Sequence, residues 1–133
     1  MTQPLRVLIV EDTPDRQKIL TQLYRDQAWV LVESSHRAIA LLNAYDFDLI
    51  SLDYNIKGDA EGDTVARTLQ NSRNRNSRVI IHSMNPKGAE RIAAILPRAI
   101  QMPVHRMVRS NAYFRQLRAA INEQGVEFDW NLS

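Results

Sequence analysis

Residues 48–53 read Asp48-Leu49-Ile50-Ser51-Leu52-Asp53. Leu49, Ile50 and Leu52 form the short apolar run expected of a strand buried on both faces. The run ends in a carboxylate, and a polar loop with glycines follows it, Tyr54 to Asp63. In parallel α/β sheets the carboxyl ends of the strands are where ligands bind, so Asp53 falls where a site is expected. A second apolar run, Arg6 to Val10, ends the same way, in Glu11-Asp12. Two neighbouring strand ends would bring these three carboxylates together.

Working outward, the pattern alternates strand and helix. Leu5 to Val10 is the first predicted strand. Thr13 is placed to cap a first helix with Pro14 in its first turn, and the helix runs to about Asp26 with Ile19, Leu20, Leu23 and Tyr24 inward. Trp29 to Val32 is a second strand, and Ser34 or Ser35 caps a helix carrying Ala38, Ile39, Leu41 and Leu42. A third helix spans about Asp63 to Asn71 with Val65, Ala66 and Leu69 inside. Val79 to Ser83 is the fourth strand. Pro86 opens a fourth helix, which Pro97 stops. Ala99 to Met102 is a weak fifth strand, and Ser110 caps a last helix with Phe114, Leu117, Ala120 and Ile121 inside. Such alternation implies right-handed crossovers and a parallel sheet covered on both faces, a single doubly wound α/β domain over residues 1–125. In the tail, 126–133, Phe128 and Trp130 either pack back on the body or meet a partner.

The chain has 133 residues, 44% hydrophobic and 24% charged, in the range of ordinary globular domains. No run of about 18 apolar residues is present, and the N-terminus lacks a secretory pattern. With no cysteine there is neither a disulfide framework nor a thiolate nucleophile, and the expected location is the cytoplasm. The net charge of +2 conceals an asymmetry: from Thr64 to Asn122 there are eleven lysines and arginines and a single acid, Glu90. Solvated helix faces account for such a run. A basic surface beside the acidic pocket, attracting phosphates, accounts for it equally.

Residues 5–122 resemble the receiver domain of two-component response regulators. The matching residues are Glu11-Asp12 after the first strand, Asp53 after the third and Ser83 after the fourth. The resemblance implies the receiver, or flavodoxin-like, fold: a five-stranded parallel sheet in the order 2-1-3-4-5. It also implies Mg²⁺ or Mn²⁺ held by Glu11, Asp12 and Asp53, a phosphoryl group accepted on Asp53 from a histidine kinase, and a Ser83 hydroxyl on the phosphoryl oxygens. The chemistry agrees, because a hard dication wants oxygen ligands and crowded carboxylates repel unless a cation joins them. Two receiver features are missing. The lysine that closes the fifth strand aligns with Met102, before Pro103, and the aromatic switch position aligns with Ala99. Arg106 and Lys87 are candidates to replace the lost cation.

A closer resemblance is to the cyclic-phosphate processing receiver domains. It rests on 49–55 (LISLDYN), 62–69 (GDTVARTL) and above all 79–89 (VIIHSMNPKGA). That family is associated with RNA repair, which implies action on cyclic or terminal phosphates, with Asn55 as a further metal ligand at a position often acidic in relatives. His82 is then either a hydrogen-bonded core histidine or a general acid or base. Asn85 either anchors its loop or binds an oxyanion. Ser83 can cap the fourth helix and bind phosphate at once. Asp59, Glu61 and Asp63 fit solvated loop and cap positions better than a second metal site, and Trp29 and Trp130 fit packing better than base stacking.

Three functions follow as expectations. The first is a metal-dependent phosphoesterase acting on a cyclic or terminal phosphate of a nucleotide or RNA end, using Asp53, Ser83, His82 and Asn85. The second is a single-domain response regulator, without a DNA-binding output domain, that takes a phosphoryl group on Asp53. The third is a degenerate receiver serving as a binding scaffold. None requires a membrane.

Overall fold

The computed structural model describes residues 3–130. Five parallel strands, β1 (Arg6–Val10), β2 (Ala28–Val32), β3 (Leu49–Leu52), β4 (Arg78–Ile81) and β5 (Ile100–Gln101), lie in the order β2-β1-β3-β4-β5. The helices are α1 (Pro14–Leu23), α2 (Ser35–Ala44), α3 (Gly62–Gln70), α4 (Pro86–Ile95), α5 (Val104–Met107) and α6 (Asn111–Gln124). This is the expected doubly wound fold. The single turn α5 is an addition that the sequence pattern did not mark, being too short to show a period.

Strand alternation sorts the core into two layers. Leu8, Val10, Ile50 and Leu52 face α2, α3 and α4, packing on Ala38, Leu42, Val65, Leu69 and Ile92. Val7, Ile9, Leu49 and Ile80 face the other way, onto Leu20, Leu23, Leu117 and Ile121 of α1 and α6. Phe128 and Trp130 join this second layer with their rings 5.2 Å apart. The Arg78 guanidinium donates to the Val126 carbonyl at 2.9 Å and so ties their segment down. The tail residues 131–133 lie outside the described residues.

Several local expectations change. Helix α1 stops at Leu23, short of Asp26. Thr13 occupies its cap position but makes no capping bond, because its hydroxyl is taken by Arg16 and Asp12. Ser34 caps α2 by accepting from Arg37 N. Asn85, not Ser83, caps α4, accepting from Gly88 N at 3.1 Å. Trp29, placed on the edge strand β2, is 40% exposed rather than packed.

Helix α3 begins one residue earlier than the sequence pattern suggests, at Gly62, and close approach explains it. The Gly62 N–H donates to the Tyr54 carbonyl at 2.7 Å, and a Cβ at this position would run into the Asp53 carbonyl. Glycine alone lets the helix start against the loop that follows Asp53.

Candidate metal and phosphate site

The site grows from register. Ile9, Ser51 and Ile80 are aligned across β1, β3 and β4. Two residues further along each chain are Glu11, Asp53 and His82. The ladder continues to them, with Glu11 N donating to Val32 O, Asp53 N to Val10 O and His82 N to Leu52 O. A period of two therefore puts Glu11, Asp53 and His82 on one face, above Ser51. One ligand atom from each of these three lies within 4.8 Å of the others, and all three side chains are buried.

Hydrogen bonds fix Glu11. Its Oε2 accepts from Thr13 N at 2.9 Å, and its Oε1 accepts from Arg16 Nε and from His82 Nε2, each at 3.0 Å. His82 Nδ1 is 2.7 Å from Ser51 Oγ. A carboxylate only accepts, so His82 Nε2 carries a proton. Ser51 Oγ bonds the other ring nitrogen, Nδ1, so both nitrogens of the imidazole are satisfied inside the protein. Tyr24, fully buried, lies within reach of Ser51 but makes no hydrogen bond of regular geometry, and burial pushes its phenol up.

The two buried carboxyls are driven in opposite directions. Burial alone would raise Glu11, but the hydrogen bond and charge of His82, the Thr13 N–H and Arg16 outweigh it and hold the group at about 2. Asp53 is raised, chiefly by burial; the His82 charge is the main opposing pull, the Glu11 charge adds to the rise, and Ser83 and the Tyr54 N–H oppose it more weakly. Asp53 Oδ1 accepts from Tyr54 N at 2.8 Å, while its Oδ2 is buried with no hydrogen-bond partner.

The expected residues divide into two groups. Glu11 and Asp53 come together with His82, whereas Asp12, half-buried, is not part of that cluster. Ser83 is buried beside Asp53, and its hydroxyl accepts from Asn85 N at 3.1 Å. Asn85 and Asn55 instead bond to each other, Nδ2 to Oδ1 at 3.1 Å, and Asn55 Nδ2 donates to Glu61. Their side chains thus tie the loop after β3 to the start of α4. Asp63 pairs with Arg67 one turn on. Among the described residues, Asp59, Glu61 and Asp63 form no cluster of candidate ligands.

The position expected to hold lysine, Met102, continues the ladder beside His82 but brings no charge to the pocket. Met102 is buried in the layer beneath, with Ile80 and Leu117. Lys87 and Arg106 are exposed and make no ion pair with Asp53. The cation that does reach the pocket is Arg16 of α1; neither it nor Ser51 is among the residues expected from sequence. Ser51 had a signal: it is the lone polar residue of a buried strand, two positions before Asp53. Arg16 sits three residues after Thr13, on the first turn beside the acidic pair, where a long side chain can fold back.

Four of the eleven basic residues after Thr64 lie away from the acidic pocket, while Arg91, on α4, donates to the Tyr54 hydroxyl beside Asp53 at 3.1 Å. Arg73, Arg75, Arg78 and Arg98 line an open cleft of about 650 Å³ that also includes Asp48 and Val79. Arg78 and Asp48 lie at or just before the beginnings of β4 and β3, whereas His82 and Asp53 follow their ends. Cleft and pocket therefore occupy opposite ends of the sheet.

Parallel strands in this order, with an acidic cluster at their carboxyl ends, define a response-regulator receiver domain. The family model described as "Cyclic-phosphate processing Receiver domain" matches residues 6–98, and the chain belongs to that family. Among solved structures, the Mn²⁺-bound form of response regulator Rcp1 superposes with a TM-score of 0.68 at 16% identity, covering 90% of this chain and 93% of that one. The phosphorylated cyanobacterial phytochrome response regulator RcpA gives 0.68 at 17%, covering 98% and 97%. TrrA from Thermotoga maritima, in complex with Mg²⁺-BeF, gives 0.65 at 16%, covering 85% and 98%. These likenesses are in the fold. No curated protein matches the chain by sequence. Among the described residues no helix is long and apolar enough to cross a membrane.

Proposed function

We propose that the chain binds and processes a cyclic or terminal phosphate of a nucleotide or RNA end at the Asp53 pocket, with a bound Mg²⁺ or Mn²⁺. One observation carries the reading: Asp53 Oδ2 is buried, has no hydrogen-bond partner and lies beside a second buried carboxylate, Glu11. Burying such an oxygen is costly unless something binds it. A hard dication satisfies it, and an all-oxygen set of Glu11, Asp12 and Asp53 suits Mg²⁺ or Mn²⁺ better than Zn²⁺. Asn55, tied to Asn85 and Glu61, could join through a water. When bound, the ion polarises a phosphate oxygen and offsets the repulsion between the carboxylates and the phosphate.

The protein's own groups do the rest. Ser83 and the first turn of α4, opened by the Asn85 cap, offer a hydroxyl and N–H donors to phosphate oxygens. His82, with both nitrogens engaged inside the protein, is a positioning residue that orients Glu11. With a 2′,3′-cyclic phosphate, water adds at phosphorus, one ring P–O bond breaks, and the departing ribose oxygen takes the water's proton. The product is a monoester with a free hydroxyl.

The test is turnover of 2′,3′-cyclic nucleotides, and of a panel of terminal phosphoesters, by wild type and Asp53→Asn with Mg²⁺ or Mn²⁺. Equal background from both proteins across the panel removes the reading. A second reading, phosphoryl acceptance on Asp53 from a histidine kinase, is favoured by the same oxygen, which accepts no hydrogen bond, and by the receiver fold. Labelling of Asp53 by acetyl phosphate, without turnover of esters, would select it.

A further inference from the structure

We propose that Arg16 is a tethered cation that occupies the acidic pocket and competes with the divalent ion for it. The inference rests on the metal reading above and concerns what the ion must displace.

The guanidinium reaches three oxygens. Its Nε donates to Glu11 Oε1 at 3.0 Å, its Nη2 donates to Thr13 Oγ1 at 2.7 Å, and the same Nη2 lies 3.6 Å from Asp53 Oδ2. Among the described residues it is the only lysine or arginine paired with either buried carboxylate. The receiver lysine is absent and the buried Met102 in its place carries no charge, so the pocket's fixed positive charge comes from the first helix instead of the fifth strand.

Two cations cannot share this space. An Mg²⁺ or Mn²⁺ ion bonds oxygen at about 2.0–2.2 Å and must sit between the ligands it joins. Arg16 already lies between Glu11 and Asp53. Glu11 Oε1, moreover, accepts two hydrogen bonds, from Arg16 and from buried His82. Of these two donors only Arg16 can leave without opening the core, since its side chain is 29% exposed and His82 has no exposed surface. The guanidinium also matches the pocket imperfectly. It stays beyond hydrogen-bond distance of Asp53 Oδ2, so the oxygen the ion most needs remains open. Arg16 thus offsets the negative charge of the two carboxylates and weakens their hold on metal.

Mn²⁺ binding to metal-free wild type, Arg16→Gln and Arg16→Lys decides the matter, read by calorimetric titration and by the electron paramagnetic resonance of free Mn²⁺. Arg16→Gln is expected to bind Mn²⁺ about tenfold tighter, the factor that corresponds to losing one charge-assisted hydrogen bond of the competitor. Arg16→Lys keeps the charge but cannot bridge Glu11 and Thr13 with a planar fork, so it falls between. In EDTA, Arg16→Gln melts lower than wild type, and Mn²⁺ removes the difference. Equal or weaker Mn²⁺ binding by Arg16→Gln overturns the competition while leaving the metal reading intact. Absence of binding by every variant at millimolar Mn²⁺ overturns both. If Arg16→Gln does not fold, the same comparison between Arg16→Lys and wild type decides.

Discussion

His82 Nε2 donates to Glu11 Oε1 across 3.0 Å, and neither side chain has any exposed surface. The pair joins the ends of β4 and β1 across the intervening β3, whose Ser51 holds the far side of the imidazole at 2.7 Å. Removing a partner from a buried pair leaves the other charge or dipole without compensation, which costs about 3 kcal/mol or more. His82→Ala is therefore expected to lose roughly that much stability, and Ser51→Ala about 1–2 kcal/mol for one buried hydrogen bond. Urea unfolding of both variants in EDTA measures this. A loss under about 1 kcal/mol for His82→Ala would mean that the pair is not formed.

The opposite displacements of Glu11 and Asp53 give opposite pH signatures. Glu11 sits at about 2 in the folded protein against an ordinary 4.5. Its contribution is full above about pH 4.5 and is lost as the pH falls toward 2. Asp53 is raised, so its ionised form opposes folding: the penalty is absent below the ordinary 3.8, grows as the pH rises from there and is full once the pH has passed the raised folded value. Glu11→Gln should thus fall furthest below wild type near neutrality and approach it in acid. Asp53→Asn should melt above wild type at pH 7 in EDTA and lose that advantage in acid. Thermal melts from pH 3 to 8 separate the two, and an Asp53→Asn that melts lower at pH 7 would contradict the orphaned oxygen.

A ligand that binds only the folded state stabilises it in proportion to the logarithm of its excess over Kd, by about 2.7 kcal/mol at a hundredfold excess. For a domain of this size that is on the order of 10 °C in Tm. Saturating Mn²⁺ or Mg²⁺ should raise the wild-type Tm by that order, and Asp53→Asn should show none of the rise. Ca²⁺, whose larger ligand shell this three-carboxylate set does not complete, should do less.

The strands, the helices and the edge that carries the candidate cluster are readable from apolar periodicity, because β1 and β3 are buried on both faces and run directly into Glu11 and Asp53. What periodicity cannot supply is register. Only the alignment of Ile9, Ser51 and Ile80 reveals that Ser51 lies under His82 and that His82 meets Glu11. Side-chain reach is likewise invisible: nothing in the spacing distinguishes Arg16, which folds back into the pocket, from Lys87 and Arg106, which do not. The arginines after Thr64 form a run in sequence, yet four of them gather at the far end of the sheet because Arg78 lies at the start of a strand and not at its end.

Gly62 offers a test of how tightly the helix behind the pocket is set against Asp53. Its N–H bonds the Tyr54 carbonyl at 2.7 Å, and a Cβ would overlap the Asp53 carbonyl and crowd Tyr54 Cα, both of them backbone atoms that cannot rotate aside. Helix α3 must therefore shift or the loop after β3 must yield. Overpacking of this kind costs typically about 1–3 kcal/mol. Gly62→Ala is expected to be destabilised within that range and, because the displaced backbone carries the Asp53 carboxylate, to bind Mn²⁺ more weakly as well. A distant control separates the two effects: Trp130→Ala removes a fully buried ring from the opposite layer. It should cost about 3–5 kcal/mol while leaving Mn²⁺ affinity of the folded protein unchanged. Equal affinity in Gly62→Ala and wild type would show that the loop absorbs the extra methyl without moving Asp53.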